Sequence, residues 1–298
     1  MDRGILSAVG AYLLWGILPV YWKLIDTIPA IETLGHRMVW SLVFVVAILT
    51  VQRRWEWVRA VRNQPRKYLI FLLSAVILAC NWFTYIYAMN TGNIVEASLG
   101  YFINPLVSVL LGVIFLRERL RPWQIVAVSI AGIGVFYLTF QYGDFPWIAL
   151  TLALTFGFYG LIRKTAPLGS LTGLTVEMSI LFLPALIFLF SLDWTGTAAF
   201  GHSDHMTTFL LALTGVATAM PLLLFAYGAK RVMLSTIGIL QYIAPSLQFF
   251  LGVVIYKEPF TTTRLIGFLF IWTALAIYTL DRIVYQRSRK KVESVVFE

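Results

Sequence analysis

Three side chains that form hydrogen bonds share one face of an apolar stretch in the first half of the chain. Tyr101, Asn104 and Ser108 recur at i, i+3 and i+7, the spacing of residues on one side of a helix. The pattern returns 140 residues later, where the amides Gln241 and Gln248 occupy matching positions. Such groups can hold a polar solute by hydrogen bonds. We predict that they line a solute cavity; hydrogen bonding between helices is the alternative that the sequence leaves open.

An aromatic face occupies the first apolar stretch. Tyr12, Trp15 and Trp22 follow at helical spacing, and Trp15 with its following glycine recurs as Tyr159 with a glycine. Because Trp and Tyr concentrate at the level of the lipid headgroups, we interpret Tyr12 and Trp22 as membrane anchors. Trp15, nearer mid-membrane, and Tyr159 are predicted to line the cavity.

The third apolar stretch adds an amide and two more aromatic rings. Asn81, Trp82 and Tyr85 fall at positions that suit the same cavity. The π faces of these rings suit an amphipathic, aromatic or cationic solute. Simple packing between helices is the alternative.

Four ionisable residues lie at or near the starts of apolar stretches. Glu32, His36 and Arg37 open the second stretch and Glu96 opens the fourth. A desolvated carboxylate near a base can exchange protons, so we predict a proton-coupling or charge network, with Glu96 the proton-responsive group. A carboxylate also complements a helix dipole without further function, which is our interpretation of Glu177. Arg37 can pair with Glu32 or Glu96, fasten two helices together, or bind an anionic part of a solute.

The chain contains an internal duplication. The segment from Val95 to Glu118 aligns without a gap with the segment from Ser235 to Glu258, and Pro105 aligns with Pro245. Each proline removes an amide donor in mid-helix and permits a kink. Paired kinks at repeat-related positions suit gating, and a static bend that makes room for neighbours is the alternative.

The composition is that of a membrane protein. Apolar residues make up 59% of the chain and charged residues 12%, and the mean hydropathy is +0.82, so too little polar surface remains to coat a soluble globule. Ten apolar runs approach the roughly 20 residues that cross a bilayer. They are predicted at 5–25, 34–51, 68–89, 95–116, 123–140, 147–162, 174–191, 208–229, 233–256 and 264–281.

The basic residues fall on one side of these spans. Placing the N-terminus in the cytoplasm puts all but four of the 23 Lys and Arg residues on the cytoplasmic side. The exceptions are Lys23, Arg37, Lys257 and Arg264. Since positive residues favour the cytoplasmic face, both termini are predicted to be cytoplasmic in a bacterial inner membrane.

The number of spans in each half makes the duplication an inverted one. Residues 1–143 and 144–298 are predicted to form two repeats of five helices each. Five is odd, so the second repeat enters the membrane in the opposite orientation. The predicted fold is therefore an all-α integral membrane protein of ten transmembrane helices in two inverted repeats.

Six short strings carry a resemblance to a known family. They are Trp15-Gly-Ile-Leu-Pro, Glu32 with His36-Arg37, Asn81-Trp82, Glu96-Ala-Ser-Leu-Gly-Tyr-Phe-Ile-Asn-Pro105, Phe158-Tyr-Gly-Leu161 and Gln241-Tyr-Ile-Ala-Pro245. Over essentially the whole chain, the sequence resembles the RarD branch of the EamA group in the drug/metabolite transporter superfamily. The resemblance implies a bacterial inner-membrane carrier with inverted five-helix halves, in a branch whose name records a link to chloramphenicol sensitivity.

These features together predict a secondary transporter. We expect alternating access and export of a small amphipathic or aromatic metabolite or drug, with the lipid bilayer as surroundings and no nucleic acid as partner. Proton coupling is one hypothesis, and a gradient-independent facilitator or exchanger is another. No Walker-type loop points to ATP, no cofactor is predicted, and His202, Asp204 and His205 are too few for a structural zinc site. An intramembrane enzyme or a passive channel is less consistent with the repeat. A single chain can form the whole carrier.

Overall fold

The computed structural model describes residues 3–53, 55, 65–257 and 262–296. Every regular element in this part of the chain is a helix. The helices are α1 (Arg3–Trp22), α2 (Ala30–Val51), α3 (Pro65–Asn90), α4 (Ile94–Leu116), α5 (Pro122–Tyr142), α6 (Trp147–Thr165), α7 (Ser170–Trp194), α8 (His205–Ala229), α9 (Leu234–Gln241), α10 (Ile243–Phe250) and α11 (Thr262–Val296). Glu258, the repeat partner of Glu118, lies outside the described residues.

The helices correspond to the predicted spans, with α9 and α10 sharing the ninth. Within the described residues, 9 segments are long and apolar enough to cross a membrane. The sixth predicted span, α6, is not among them, because Arg163 and Lys164 in its last turn lower the mean hydropathy of its 19 residues. Its length of about 28 Å still approaches the hydrocarbon thickness.

The two proline-containing helices differ. Pro105 lies inside α4, which continues without interruption to Leu116. The second copy is broken at Tyr242, between α9 and α10, three residues before Pro245. It then ends in a π-helical turn, Leu251–Ile255. The expected pair of kinks is therefore realised as an interruption only in the second repeat.

The contacts between helices follow a pseudo-two-fold axis. A contact between two helices recurs between the repeat partners of the same helices. The contact of α1 with α8 corresponds to that of α6 with α3, and the contact of α2 with α8 corresponds to that of α7 with α3. The contact of α4 with α6 corresponds to that of the ninth span with α1. The pairs α2 with α7, α4 with α9 and α5 with α11 meet their own repeat partners. A two-fold relation between the repeats requires this exchange, so the structure confirms two repeats of five spans. Because five is odd, the second repeat is inverted relative to the first.

Glycine residues allow two of these pairs to approach closely. A Cβ atom on Gly215 of α8 would lie 2.2 Å from the carbonyl carbon of Trp40 in α2. A Cβ on Gly238 of α9 would lie 2.5 Å from the carbonyl oxygen of Pro105 in α4. Small residues at such crossings let helix backbones touch in lipid, where no hydrophobic effect drives helices together.

Candidate functional site

A cavity of about 200 Å³, the central cavity, lies between the two repeats. Helices α1 to α4 of the first repeat and α6, α8, α9 and α10 of the second line it. Eight of the ten side chains predicted to bind solute border this space, as does Pro245: the eight are Trp15, Asn81, Trp82, Tyr85, Tyr101, Asn104, Gln241 and Gln248.

Two of the cavity amides also fasten helices together. Asn81 donates from Nδ2 to the carbonyl oxygen of Leu152 and to Oγ1 of Thr155, each at 2.9 Å. Gln248 donates from Nε2 to the carbonyl oxygen of Trp15 at 3.1 Å. The expectation of interhelical hydrogen bonds is therefore met at these two positions, at the same time as they line the cavity.

In the other two cavity amides, the side-chain oxygen has no hydrogen-bond partner among the described residues. Oδ1 of Asn104 and Oε1 of Gln241 are buried and accept no hydrogen bond from any described residue. Buried acceptors without a partner are uncommon in proteins. Both residues border the cavity.

Arg37 supplies the positive charge of the cavity. Its Nε donates to Oγ1 of Thr218 at 3.0 Å. Its Cζ lies 5.0 Å from the ring centre of Trp22 and 4.9 Å from that of Trp82, within the range of cation–π attraction. Trp22, which we predicted to be a membrane anchor, instead borders the cavity and packs on this guanidinium.

A wider space, the vestibule, joins the central cavity to one face of the protein. It has a volume of about 660 Å³ and shares Tyr85, Tyr101 and Gln248 with the cavity. It continues to Met89, at the end of α3, and to Ile94, at the start of α4. These helix ends lie on the face opposite the N-terminus, so the cavity is open towards that face.

The cavity is closed on the side of the N-terminus by an aromatic floor, which consists of Trp15, Phe156 and Phe225. Trp15 and Phe156 border the cavity, and Phe156 packs on Phe225 with ring centres 5.3 Å apart. Phe225 is in turn stacked on Tyr159 at 6.0 Å. Tyr12, which we also interpreted as a membrane anchor, is instead buried beside them and donates its hydroxyl to the carbonyl oxygen of Ile237 at 3.1 Å.

Beyond these rings, three charged side chains tie helix ends together on the N-terminal face. We name Glu118, Lys164 and Lys230 the latch. The Glu118 carboxylate accepts the backbone N–H groups of Leu234 at 2.6 Å and Ser235 at 2.8 Å, at the start of α9. It therefore joins the end of α4 in the first repeat to α9 in the second.

The two lysines of the latch bind main-chain carbonyl groups. Lys164 donates to Ala229 and Val232, and its Nζ lies 4.0 Å from Oε1 of Glu118. Lys230 donates to the carbonyl oxygen of Ala166. Partial burial lowers the pKa of the Lys230 ammonium.

Two predicted site residues lie away from the cavity. Tyr159 is fully buried, and its hydroxyl lies 3.4 Å from Oε2 of Glu177. Ser108 is buried where α4 crosses α9, since a Cβ on Gly238 would lie 2.9 Å from the Ser108 Cβ. Both share a helical face with cavity residues, but the neighbouring helices cover them.

Glu177 is not a helix cap. It lies in the third turn of its helix, has no exposed surface, and accepts hydrogen bonds from Ser74 at 2.6 Å and from Arg163 at 3.3 Å. Arg163 also donates to the carbonyl oxygen of Ser170 at 2.8 Å. A buried ion pair thus links α3, α6 and α7 near the N-terminal face.

The predicted charge network is divided into three separate sites. Glu32 accepts the backbone N–H of Ala199 at 2.7 Å and lies 3.8 Å from Nε2 of His36. Glu96 accepts the backbone N–H of Ile148 at 2.7 Å, at the start of α6, and the hydroxyl of Tyr142 at 3.2 Å. Arg37 forms the third site, so neither carboxylate forms an ion pair with it.

Thr218 and Phe156 are two of the cavity residues that were not predicted from the sequence. Thr218 binds Arg37, and Phe156 forms part of the aromatic floor. Both lie on apolar helices without an accompanying polar pattern. For Thr218, the signal in the sequence was Arg37, because an arginine within an apolar span needs a polar partner.

Comparisons with known proteins match this architecture. The EamA-like transporter family matches the chain twice, over residues 2–140 and residues 146–280. A protein of known crystal structure superposes with a TM-score of 0.71 over 94% of this chain and 97% of its own, at 20% identity. At that identity the likeness shows the fold alone.

Curated bacterial relatives are similar over nearly their whole length. The uncharacterized transporter YojE of Bacillus subtilis is 44% identical, covering 97% of each chain. Protein RarD of Salmonella typhi is 45% identical over 96% of this chain and 98% of its own. The chloramphenicol-sensitive protein RarD of Pseudomonas aeruginosa is 30% identical over 97% of this chain and 98% of its own. The chain therefore belongs to the EamA-like transporter family, within the drug/metabolite transporter superfamily.

Proposed function

We propose that this protein is a secondary transporter that exports a small amphipathic or aromatic metabolite or drug across the bacterial inner membrane by alternating access. The central cavity carries the proposal, because it lies between inverted repeats, opens through the vestibule and is closed by the latch on the other side. Rocking one repeat against the other would exchange the open and closed faces. With the N-terminus in the cytoplasm, the present arrangement faces outward.

Cysteine accessibility tests this proposal without knowledge of the solute. Cys80 is the only cysteine in the chain, so a Cys80→Ser protein provides a clean background. Ser98→Cys reports on the vestibule and Ser235→Cys on the buried side of the latch. A membrane-impermeant maleimide should label position 98 from the face opposite the N-terminus and should leave position 235 unlabelled.

Opening the latch should reverse this pattern. Lys164→Gln with Glu118→Gln removes the charges that hold the end of α4 to the start of α9, so labelling at 235 should rise and labelling at 98 should fall. Arg231→Gln, an exposed change of the same kind, should alter neither. Simultaneous labelling at both positions would indicate a channel, and an unchanged pattern would contradict alternating access.

The source of energy is a separate question. The Glu96 carboxylate connects the start of α4 to the start of α6 by accepting the backbone N–H of Ile148. Protonation would weaken this hydrogen bond, which supports proton coupling at Glu96. In proteoliposomes, an imposed proton gradient should then drive solute uphill, and Glu96→Gln should remove that dependence. Flux driven only by the solute's own gradient would identify a facilitator or exchanger instead.

A further inference from the structure

Arg37 is a membrane-embedded cation without a counter-ion among the residues that the structure describes. It lies about 10 Å along α2 from the first residue of that helix. In the part of the chain that the structure describes, no carboxylate comes within 4.0 Å of its guanidinium. Inserting an arginine at the centre of a transmembrane helix costs about 2.5–3.5 kcal/mol. An arginine that is kept within a span without a carboxylate partner therefore indicates a function.

The carboxylates that the sequence offers as partners are bound elsewhere. Glu32 holds the loop before α8 through Ala199, and Glu96 holds the start of α6 through Ile148. No described carboxylate therefore competes with a solute for the charge of Arg37.

The guanidinium is also held in a fixed orientation. Thr218 accepts a hydrogen bond from Nε, and the rings of Trp22 and Trp82 lie about equally far from Cζ. The two terminal nitrogens make no hydrogen bond to a described residue. Their N–H groups form the planar fork that binds a carboxylate through two parallel hydrogen bonds.

We propose that Arg37 is the recognition residue for a carboxylate and that the solute is an organic anion with an aromatic or apolar body. This inference rests on the proposed transport function and specifies its substrate class. The body would pack on Trp15 and Phe156, and hydrogen-bond donors on it would meet the free oxygens of Asn104 and Gln241. Aromatic walls alone also suit cations, but an unneutralised arginine repels them.

Three probes of one shape and different charge test the proposal at pH 7. Phenylacetate is an anion, phenylacetamide is neutral and 2-phenylethylamine is a cation. Thermal unfolding of the purified protein in detergent reports binding, because a ligand of the folded state raises the unfolding temperature. Phenylacetate should raise it in a saturable manner, and the amide and amine should raise it less or not at all.

Variants of Arg37 assign the effect to the cavity. Arg37→Gln should weaken the response to phenylacetate by at least about tenfold in apparent affinity, the scale of one charged hydrogen bond. Arg37→Lys keeps the charge without the fork and should bind more weakly while still preferring the anion. Arg231→Gln, which removes an exposed arginine outside the cavity, should respond as the parent protein does.

Several outcomes would overturn the inference. One is stabilisation by the amine that equals or exceeds that by the carboxylate, and another is undiminished phenylacetate binding in Arg37→Gln. The test extends to the benzoate and 3-phenylpropionate series, and absence of anion preference in all three series also rejects it. The accessibility experiment does not use Arg37, so reciprocal labelling with no anion preference would reject only the substrate class. Anion binding without reciprocal labelling would reject transport instead.

Discussion

At the scale of single residues, the ion pair of Arg163 and Glu177 is the most demanding feature of the molecule. Neither side chain has exposed surface, and burying two charges is repaid only when geometry and additional hydrogen bonds are good. Ser74 and the carbonyl group of Ser170 supply such bonds. The pair lies beyond the aromatic floor, so it fixes the closed end of the protein rather than touching solute.

Removing one member of this pair should therefore be far worse than removing both. Glu177→Leu leaves Arg163 buried without its counter-ion and should reduce the free energy of unfolding by about 3–5 kcal/mol. The double change with Arg163→Met should recover most of that loss. Denaturant unfolding in detergent micelles measures both. Losses that simply add in the double variant would contradict the pairing.

Glu96 provides a second prediction, on stability alone. Glu96→Gln removes a negative charge from the N-terminus of α6 and should cost about 0.3–1 kcal/mol, rising towards 2 where the site is buried. Asp144→Asn, an exposed charge in the loop between α5 and α6, is the matched control and should change the unfolding temperature little. Equal effects of the two changes would argue against the carboxylate holding α6 in place.

At the scale of helices, close crossings and interruptions shape the cavity. Pro245 has no N–H to donate to the carbonyl group of Gln241, four residues earlier, and the second copy is interrupted between them at Tyr242. The Gln241 side chain borders the cavity at that interruption. In the first copy α4 remains one helix around Pro105, so the two repeats share a sequence pattern but not a conformation.

The crossing of α2 and α8 gives an element-scale prediction. Gly215→Ala would place a methyl group against the backbone of Trp40, which cannot move as a side chain can, so stability should fall by about 1–3 kcal/mol or more. Gly132→Ala in α5 is the control, because nothing lies within 4 Å of its added Cβ. Thermal unfolding compares them, and a tolerated Gly215→Ala would show that these helices are less close than described.

At the scale of the whole molecule, the inverted repeat relates the open and closed faces. A pseudo-two-fold axis pairs α2 with α7 and α4 with α9, and the cavity is lined by helices of both repeats. If the repeats exchange conformations, the face that is now open becomes the closed one. Under alternating access, the inward-open state would therefore use the same two repeat conformations as the outward-open state, exchanged between the repeats.

The predicted orientation follows from charge and is tested by fusions. A green fluorescent protein at the C-terminus should fluoresce and alkaline phosphatase at the same place should be inactive, because both termini are predicted to be cytoplasmic. Alkaline phosphatase fused after Gly201, in the loop between α7 and α8, should be active. The reverse result would invert the assignment of the vestibule to the outer face.

The sequence by itself determined the number of spans, the duplication and its inversion. Bilayer thickness fixes the length of each apolar run, and an odd number of spans in each repeat leaves only one relative orientation. It also put Tyr101 and Asn104 on one helix face, since helical periodicity defines which residues share a face, and the repeat put Gln241 at the position that matches Tyr101.

Only the tertiary structure decided which neighbour each face meets. Tyr159 and Ser108 lie at the same helical spacing as the cavity residues, yet adjoining helices cover them. Among the described residues Arg37 has no carboxylate partner, because Glu32 and Glu96 are bound to the backbone of other elements. Periodicity gives the faces of a helix, but the rotation of one helix against another is set by packing across the repeats, which no local pattern contains.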